Sequence, residues 1–288
     1  MSTEQSEGLL PERPLLAPWL RRATSPDGSL LLEYGDEIVA VAGDPAALDR
    51  LDEDVVRLLR SEGVVVEGPA VADEEALREA ALGRVPPNLA AQRLSRARVT
   101  LVGSGPLAEE AARLLPGRIR RVEWDETPVD AELVVAAPAA RDLPELAGWN
   151  KRCLAAEMPW LLVLPFNGRF ASVGPLFVPG ETCCYGCFVR RRASALPDPD
   201  DFFALERAPA TYPLGRSQAA ALAGLAALVA AGWLARRDGL LPGAFFALEL
   251  AEGPRVTRHR VLRVPRCEAC SPARDAPPLV PWASGLRR

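Results

Sequence analysis

Two pairs of cysteines carry the clearest chemistry in this chain, Cys184 and Cys187 in PGETCCYGC and Cys267 and Cys270 in RCEAC. A cysteine pair with two residues between can clamp one edge of a tetrahedral ion, and four thiolates at about 2.3 Å close around Zn2+ with no position left for substrate. The spacing therefore predicts a structural zinc site. Cys187 and Cys267 stand about 80 residues apart, so the ion would staple distant parts of one domain, and closing so long a loop removes entropy from the unfolded chain. Disulfides are the first alternative, but MSTEQSEGLLPERP has no charged and apolar leader, which predicts a cytoplasmic chain whose paired thiols bind metal. A redox pair is the second, and neither pair is read as opening a helix after a strand, the setting that activates a thiolate. Cys183 competes with Cys184 as a ligand, and the spacing to Cys187 favours Cys184. Cys153, in NKRCLAAEMPW, reads as a small buried hydrophobe.

Other reactive side chains are scarce. His259 is the single histidine and lies in VTRHRVLRV, whose alternation places it on an exposed strand position, away from acid–base work. Lys151 is the only lysine, which leaves little scope for amine chemistry. A net charge of −4 exerts no global pull toward nucleic acid or anionic membranes. The run from Ala219 to Leu234 is free of charge but shorter than the ~20 residues of a membrane span. It predicts a core or dimer-interface helix.

The chain length predicts about two domains. Residues 1–13 are expected to be disordered. Within 14–85, a possible strand at Trp19 to Ala23 precedes SLLLEY (Ser29 to Tyr34) and EIVAVA (Glu37 to Ala42), the last two joined by a Gly35-Asp36 turn. Asp44 and Pro45 then cap and start a helical stretch, broken near Asp52 and ending at Gly63, and Asp73 to Leu82 forms another helix. Three strands followed by three short helices make a winged-helix-like plan. Arg84 to Pro87 reads as a linker. From Arg98 a strand enters the glycine turn GSGPLA and a helix over Ala108 to Leu115, the opening of a dinucleotide-type βαβ unit. Strands at Ile119 to Glu123, Glu132 to Ala137 and Trp160 to Pro165, with a helix at Asn150 to Glu157, predict a parallel sheet with crossovers. A Pro/Asp-rich loop is read from Leu196 to Pro213, and a hairpin pairs Ala244 to Leu250 with Arg255 to Val264. The tail 276–288 is expected to be irregular.

Strand, GP-x-x-x-PG-x-x-C-x-x-C, long insert and C-terminal C-x-x-C, together with Asn150 and Cys153 in NKRC, resemble the ThiF-like adenylating fold of the ubiquitin-activating enzymes over Val99 to Cys270. More narrowly, GPLFVPGETCCYGCFVRR behind a short winged-helix module resembles the ThiF-like leader-binding proteins of azole-modified peptide pathways, whose partner is a YcaO-type cyclodehydratase. The resemblance implies an α/β protein with an N-terminal winged-helix-like peptide-recognition module at 14–85. A ThiF-like Rossmann-type domain at 98–275 follows, with the four-cysteine zinc site.

An adenylating member needs a glycine-rich turn, basic groups over the phosphates and an acidic residue for Mg2+ after the third strand. Here Ala108 occupies the third glycine position, and AAPAAR follows ELVV where active members carry an aspartate-containing stretch, with Arg141 the remnant of the family's arginine. The expectation is a retained fold and a lost adenylation site: no catalytic residue, and the Gly103/Gly105 turn as a tight connection only. The protein would then be a non-catalytic scaffold that binds the leader of a ribosomally made precursor and delivers it to the cyclodehydratase. Its candidate docking edge is Glu37, Ile38, Val39, Ala40, Val41 and Ala42, with Leu77, Arg78 and Ala81 as the groove wall and Arg50, Arg57 and Arg78 facing acidic leader residues. An ATP-dependent adenylating enzyme is the alternative. A DNA-binding regulator ranks third, because LDRLDED and DEEALREAAL would repel phosphates.

Overall fold

The structure is a computed structural model, and it describes residues 15–17, 20–34, 37–41, 53–61, 64–66, 73–83, 85–208, 214–250 and 253–271. The segments 1–13 and 276–288, the Gly35-Asp36 turn, Ala42, the Asp44-Pro45 helix start and Arg50 lie outside the described residues. Two compact units emerge: one runs up to Arg96 and takes in Ala231–Asp238, the other comprises Ala97–Ala230 and the chain from Gly239.

In the first unit, β1 (Leu15–Leu16) pairs with β5 (Val65–Val66), and β2 (Arg21–Thr24), β3 (Leu30–Tyr34) and β4 (Glu37–Val41) form an antiparallel sheet in that order. Gly28, at φ +86°, and Asp27, whose Oδ1 accepts from the Ser29 N–H at 3.0 Å, turn β2 into β3. The two short strands β1 and β5 had no readable pattern in the sequence. Helix α1 (Glu53–Ser61) sends Leu59 into a small core with Ala17, Leu20, Leu30, Leu32, Val64 and Val65. Helix α2 (Glu74–Gly83) starts where the Asp73 carboxylate accepts from the Ala76 N–H at 3.1 Å. Helix α3 (Pro87–Arg96) corrects the linker reading: Pro87 is buried at its first position, where a fixed φ and a missing N–H cost nothing.

One buried charge holds the helical side of this unit. Glu79 is 1% exposed, and its carboxylate accepts from Arg236 Nε and from Arg78 Nη2, each at 2.6 Å. Arg236 ends the π-helical turn Gly232–Arg236 and also reaches Asp238 at 3.1 Å, while Arg93 donates to the Ala235 carbonyl at 2.6 Å.

The second unit is built on a seven-stranded mixed sheet in the order β12-β11-β10-β9-β8-β6-β7. Strands β6 (Arg98–Val102), β7 (Arg118–Val122), β8 (Leu133–Ala136) and β9 (Trp160–Leu164) are parallel; β6, β8 and β9 carry the near-continuous apolar runs that burial on both faces selects, whereas β7, at the edge, is arginine-rich and largely exposed. Strands β10 (Phe170–Phe177), β11 (Ala244–Glu249) and β12 (Arg255–Arg260) extend the sheet antiparallel. Helices α4 (Gly105–Leu114) and α5 (Leu146–Ala155), the latter behind a 3-10 turn at Ala140–Glu145, make crossovers. Then come α6 (Tyr185–Ala193), α7 (Pro199–Arg207) and α8 (Arg216–Ala231).

Helix α7 corrects the loop expected at Leu196 to Pro213. Asp198 caps it, accepting from the N–H groups of Asp200 at 3.0 Å and Asp201 at 3.3 Å, and Pro199 takes the first position. The alanine-rich helix, followed from Arg216 to Arg236, is long and apolar enough to cross a membrane by length and composition, the only such helix among the described residues. Most of its apolar window, 61%, is buried within the protein, as a core helix requires.

Candidate functional site

The four cysteines named from spacing converge. Their sulfurs all lie within 4.8 Å of one another, with Cys184 and Cys187 at 3.9 Å, Cys184 and Cys267 at 3.7 Å, and Cys187 and Cys270 at 3.5 Å. Ligands ~2.3 Å from a tetrahedral centre are about 3.8 Å apart, so the observed separations fit one ion, and they are far beyond the ~2.05 Å of a disulfide. The cluster could hold a metal ion. Three of its cysteines are buried and Cys270 half-buried.

The sequence around each ligand explains its place. Strand β10 delivers the chain to Thr182, whose Oγ1 accepts from the Val178 N–H at 2.8 Å and fixes the turn before Cys183. Cys184 is the N-cap of α6 and Cys187 lies in its first turn, which corrects the expectation that neither pair opens a helix after a strand. The two remaining thiols close by make this a ligand set. Asn150, 3% exposed on α5, accepts from the Tyr185 N–H at 3.0 Å and satisfies one of the orphan donors at the start of α6. The second pair follows β12 and is tied back to α6. Arg191 donates to the Arg263 carbonyl at 3.0 Å, Arg263 donates to the Thr182 carbonyl at 2.8 Å, and Arg190 pairs with Glu268 at 3.1 Å.

A proton shared inside the cluster polarises the thiols. The Cys184 thiol donates to Cys187, which with the Val264 N–H at 3.3 Å holds Cys187 well below the usual thiol range, while the same bond and burial push Cys184 up. Burial also pushes Cys183 up to about 12 and Cys153 up to about 12, so both behave as inert core residues. Cys183 stays outside the four-sulfur group. His259 is exposed on β12, as expected, beside Thr257 at 3.0 Å.

The glycine turn lies at the switch point of the parallel strands, between β6 and β8. Gly103, at φ +129°, approaches so closely that a Cβ there would collide with the Ala137 carbonyl, so the residue serves close packing of the turn. The sequence reading missed Asp142, one residue beyond AAPAAR. Its Oδ2 accepts from Ser104 Oγ at 3.0 Å and from the Ala139 N–H at 3.1 Å, and Arg141 Nη2 donates to Ser104 Oγ at 3.2 Å. A carboxylate thus sits on the turn after all, brought there by the 3-10 turn.

In the first unit, β4 is an edge strand of its sheet. Val39 pairs with buried Leu32 and faces the core, as does the backbone position of Val41 opposite Leu30, while Ile38 and Ala40 lie on the outer face. Ile38 is 72% exposed, one of several large apolar side chains that stand in solvent. Glu37 begins the strand. On α2, Leu77, Arg78 and Ala81 are half-buried, and Arg78 is engaged by Glu75 and Glu79. Arg57 pairs with Asp54 at 2.9 Å.

No family model matches the chain, and no curated protein matches it. Solved structures do share its fold. A heterocyclase in complex with substrate and cofactor superposes with a TM-score of 0.62 at 21% identity, and the heterocyclase TruD with 0.62 at 24%. Both matches cover 91% of this chain, which spans only 40% and 43% of those proteins. MccB of E. coli, a microcin C7 biosynthetic enzyme, superposes with 0.61 at 14% identity, covering 90% of this chain and 97% of its own.

Proposed function

We propose that this protein is a recognition scaffold of the ThiF-like, leader-binding kind. It binds the leader of a ribosomally made precursor peptide and presents the rest to a YcaO-type cyclodehydratase that forms azolines from Cys, Ser or Thr. The observation that carries this reading is the open edge of β4 with Ile38 exposed upon it. An extended peptide can add a strand there, taking its affinity from main-chain hydrogen bonds and its selectivity from alternate side chains. Residues of the incoming strand level with Ile38 and Ala40 meet the outer face, where Leu31 and the Arg21–Glu33 pair also lie, and those level with Val39 lie on the face that packs on Leu59 of α1; Leu77 and Ala81 of α2 would serve as a groove wall only in this proposal. In this reading the first unit is a winged-helix-like module.

The likeness to two heterocyclases of which the chain spans about two fifths fits a division of labour, in which the partner supplies the remaining chemistry. Holding the leader raises the effective concentration of the core peptide at the partner's active site, to roughly millimolar for a short tether. The ion in the four-cysteine cluster is zinc: its donor set is all thiolate, it closes on itself, and its task is structural. When bound, zinc supplies no step of the reaction, and the four thiolates hold the loop from α6 to the end of β12 against the sheet.

A second reading is ATP-dependent adenylation. Asp142 on the glycine turn favours it, as does the likeness to MccB, also solved with ATP. The scaffold reading fits better because that carboxylate is already engaged by Ser104, the Ala139 N–H and Arg141. Calorimetry of the purified protein with the leader peptide encoded beside its gene, and separately with ATP–Mg2+, tests both. Leader binding without ATP binding supports the scaffold; ATP binding that disappears in Asp142→Ala replaces it with the enzyme.

A further inference from the structure

The second unit contains a cavity of about 720 Å3 between the outer part of the sheet and helices α6 and α7, within the range of ligand pockets. Its walls are apolar and aromatic: Phe170 and Phe245 from β10 and β11, Phe188 from α6 and Phe202 from α7 all line it. Phe170 meets Phe245 edge to face with centroids 6.5 Å apart, and Phe188 meets Phe245 at 5.5 Å, so the lining presents ring faces and edges together.

Two polar features set the chemistry. Ser172, on β10, is 1% exposed and lines the cavity, and its hydroxyl has no hydrogen-bond partner among the described residues. An unsatisfied buried hydroxyl is unfavourable, and a ligand atom that bonds to it removes that cost. The other feature is a closed charge pair. Arg192 lies between Phe188 and Phe202, with its guanidinium carbon 5.4 Å and 4.9 Å from their centroids, and donates to Glu206 at 3.0 Å. The second Glu206 oxygen accepts from the Tyr185 hydroxyl at 2.9 Å. Burial and the carboxylate raise the Tyr185 pKa, so this bond is not given up by ionisation. Both charges are thus used internally, and a charged ligand would have to break the pair and leave one member unpaired. Among the described lining residues Glu206 is the only carboxylate, and it is held by Arg192 and Tyr185.

We propose that this cavity is a binding site for an uncharged aromatic group carrying one hydrogen-bonding atom, which meets Ser172 Oγ while its ring packs among the four phenylalanines. The inference rests on the cavity alone and does not depend on the peptide-recognition reading. Such a group can be a free small molecule or an aromatic side chain of a bound peptide.

Phenol and toluene, nearly equal in shape, separate the hydrogen bond from the packing. Titrated into the full zinc-loaded chain and followed by ligand-observed NMR, phenol is expected to bind saturably and more tightly than toluene. Ser172→Ala is expected to weaken phenol about fivefold, the size of one hydrogen bond, and to leave toluene unchanged or tighter. Leu196→Trp, at the partly exposed rim, is expected to weaken both while the melting temperature and zinc content stay at wild-type values. N-acetyl-tyrosinamide binding as phenol does identifies a peptide side chain as the occupant; phenol binding alone identifies a free small molecule. Absence of saturable phenol binding at millimolar concentration overturns the proposal, as does an equal loss of phenol and toluene affinity in Ser172→Ala.

Discussion

The cysteine cluster and the β4 edge differ in where their bonding partners are found. Around the cluster, the helix start is satisfied from within: Asn150 caps Tyr185, Thr182 fixes the turn, and Arg191 and Arg263 tie the two knuckles together. Among the described residues, β4 is the last strand of its sheet, with Ile38 exposed on it. A region whose polar groups are paired internally contributes stability, whereas an edge strand offers a row of backbone groups with which a further strand can pair. If the first unit is the recognition module proposed above, stability and recognition should respond separately to mutation.

The largest effect should come from Cys187→Ser. It removes a ligand with no neighbouring cysteine to replace it, and structural zinc contributes on the order of 10 kcal/mol to small domains. We expect zinc loss by mass spectrometry and a fall in melting temperature of more than roughly 10 °C; a zinc-loaded variant with unchanged melting would refute the four-thiolate site. Next is Glu79→Ala, which leaves Arg236 without its buried partner and should cost about 3 kcal/mol in urea unfolding, in the range for breaking a buried ion pair. Asn150→Ala should cost about 1–3 kcal/mol by leaving the Tyr185 N–H unsatisfied, with zinc still bound; zinc loss here would make Asn150 essential to the cluster itself. Smallest in stability is Ile38→Asp, within about 0.5 kcal/mol of wild type. Leader affinity, measured by calorimetry, should nonetheless fall roughly tenfold or more in that variant. Unchanged affinity would remove β4 from the binding surface.

What the sequence made legible was chemistry with fixed spacing. Cysteine pairs separated by two residues, and a strand entering glycines before a helix, reflect local geometry that distant packing does not alter. Helix α7 was legible in principle, since Asp198-Pro199 is the same cap-and-start signal read at Asp44-Pro45, but the Pro/Asp-rich composition around it suggested a loop. Pro87 misled in the same way. The face of β4 that turns inward needed the register with β3, because alternation alone leaves two choices. Asp142 on the glycine turn, Ser172 in the cavity and Arg236 on Glu79 left no local trace at all, since each depends on segments remote in sequence meeting in space.

The pairing of Arg236 with Glu79 has a consequence for how such a protein can be inherited. The first unit borrows eight residues, Ala231–Asp238, from the far end of the chain, and its buried carboxylate is neutralised by one of them. A gene fragment ending at Arg96 would encode the sheet and the helices but leave Glu79 with Arg78 alone of its two cations. The two units are thus not interchangeable cassettes. Recombination that moves the first unit to a new protein must carry the Gly232–Arg236 turn along or replace Glu79 first.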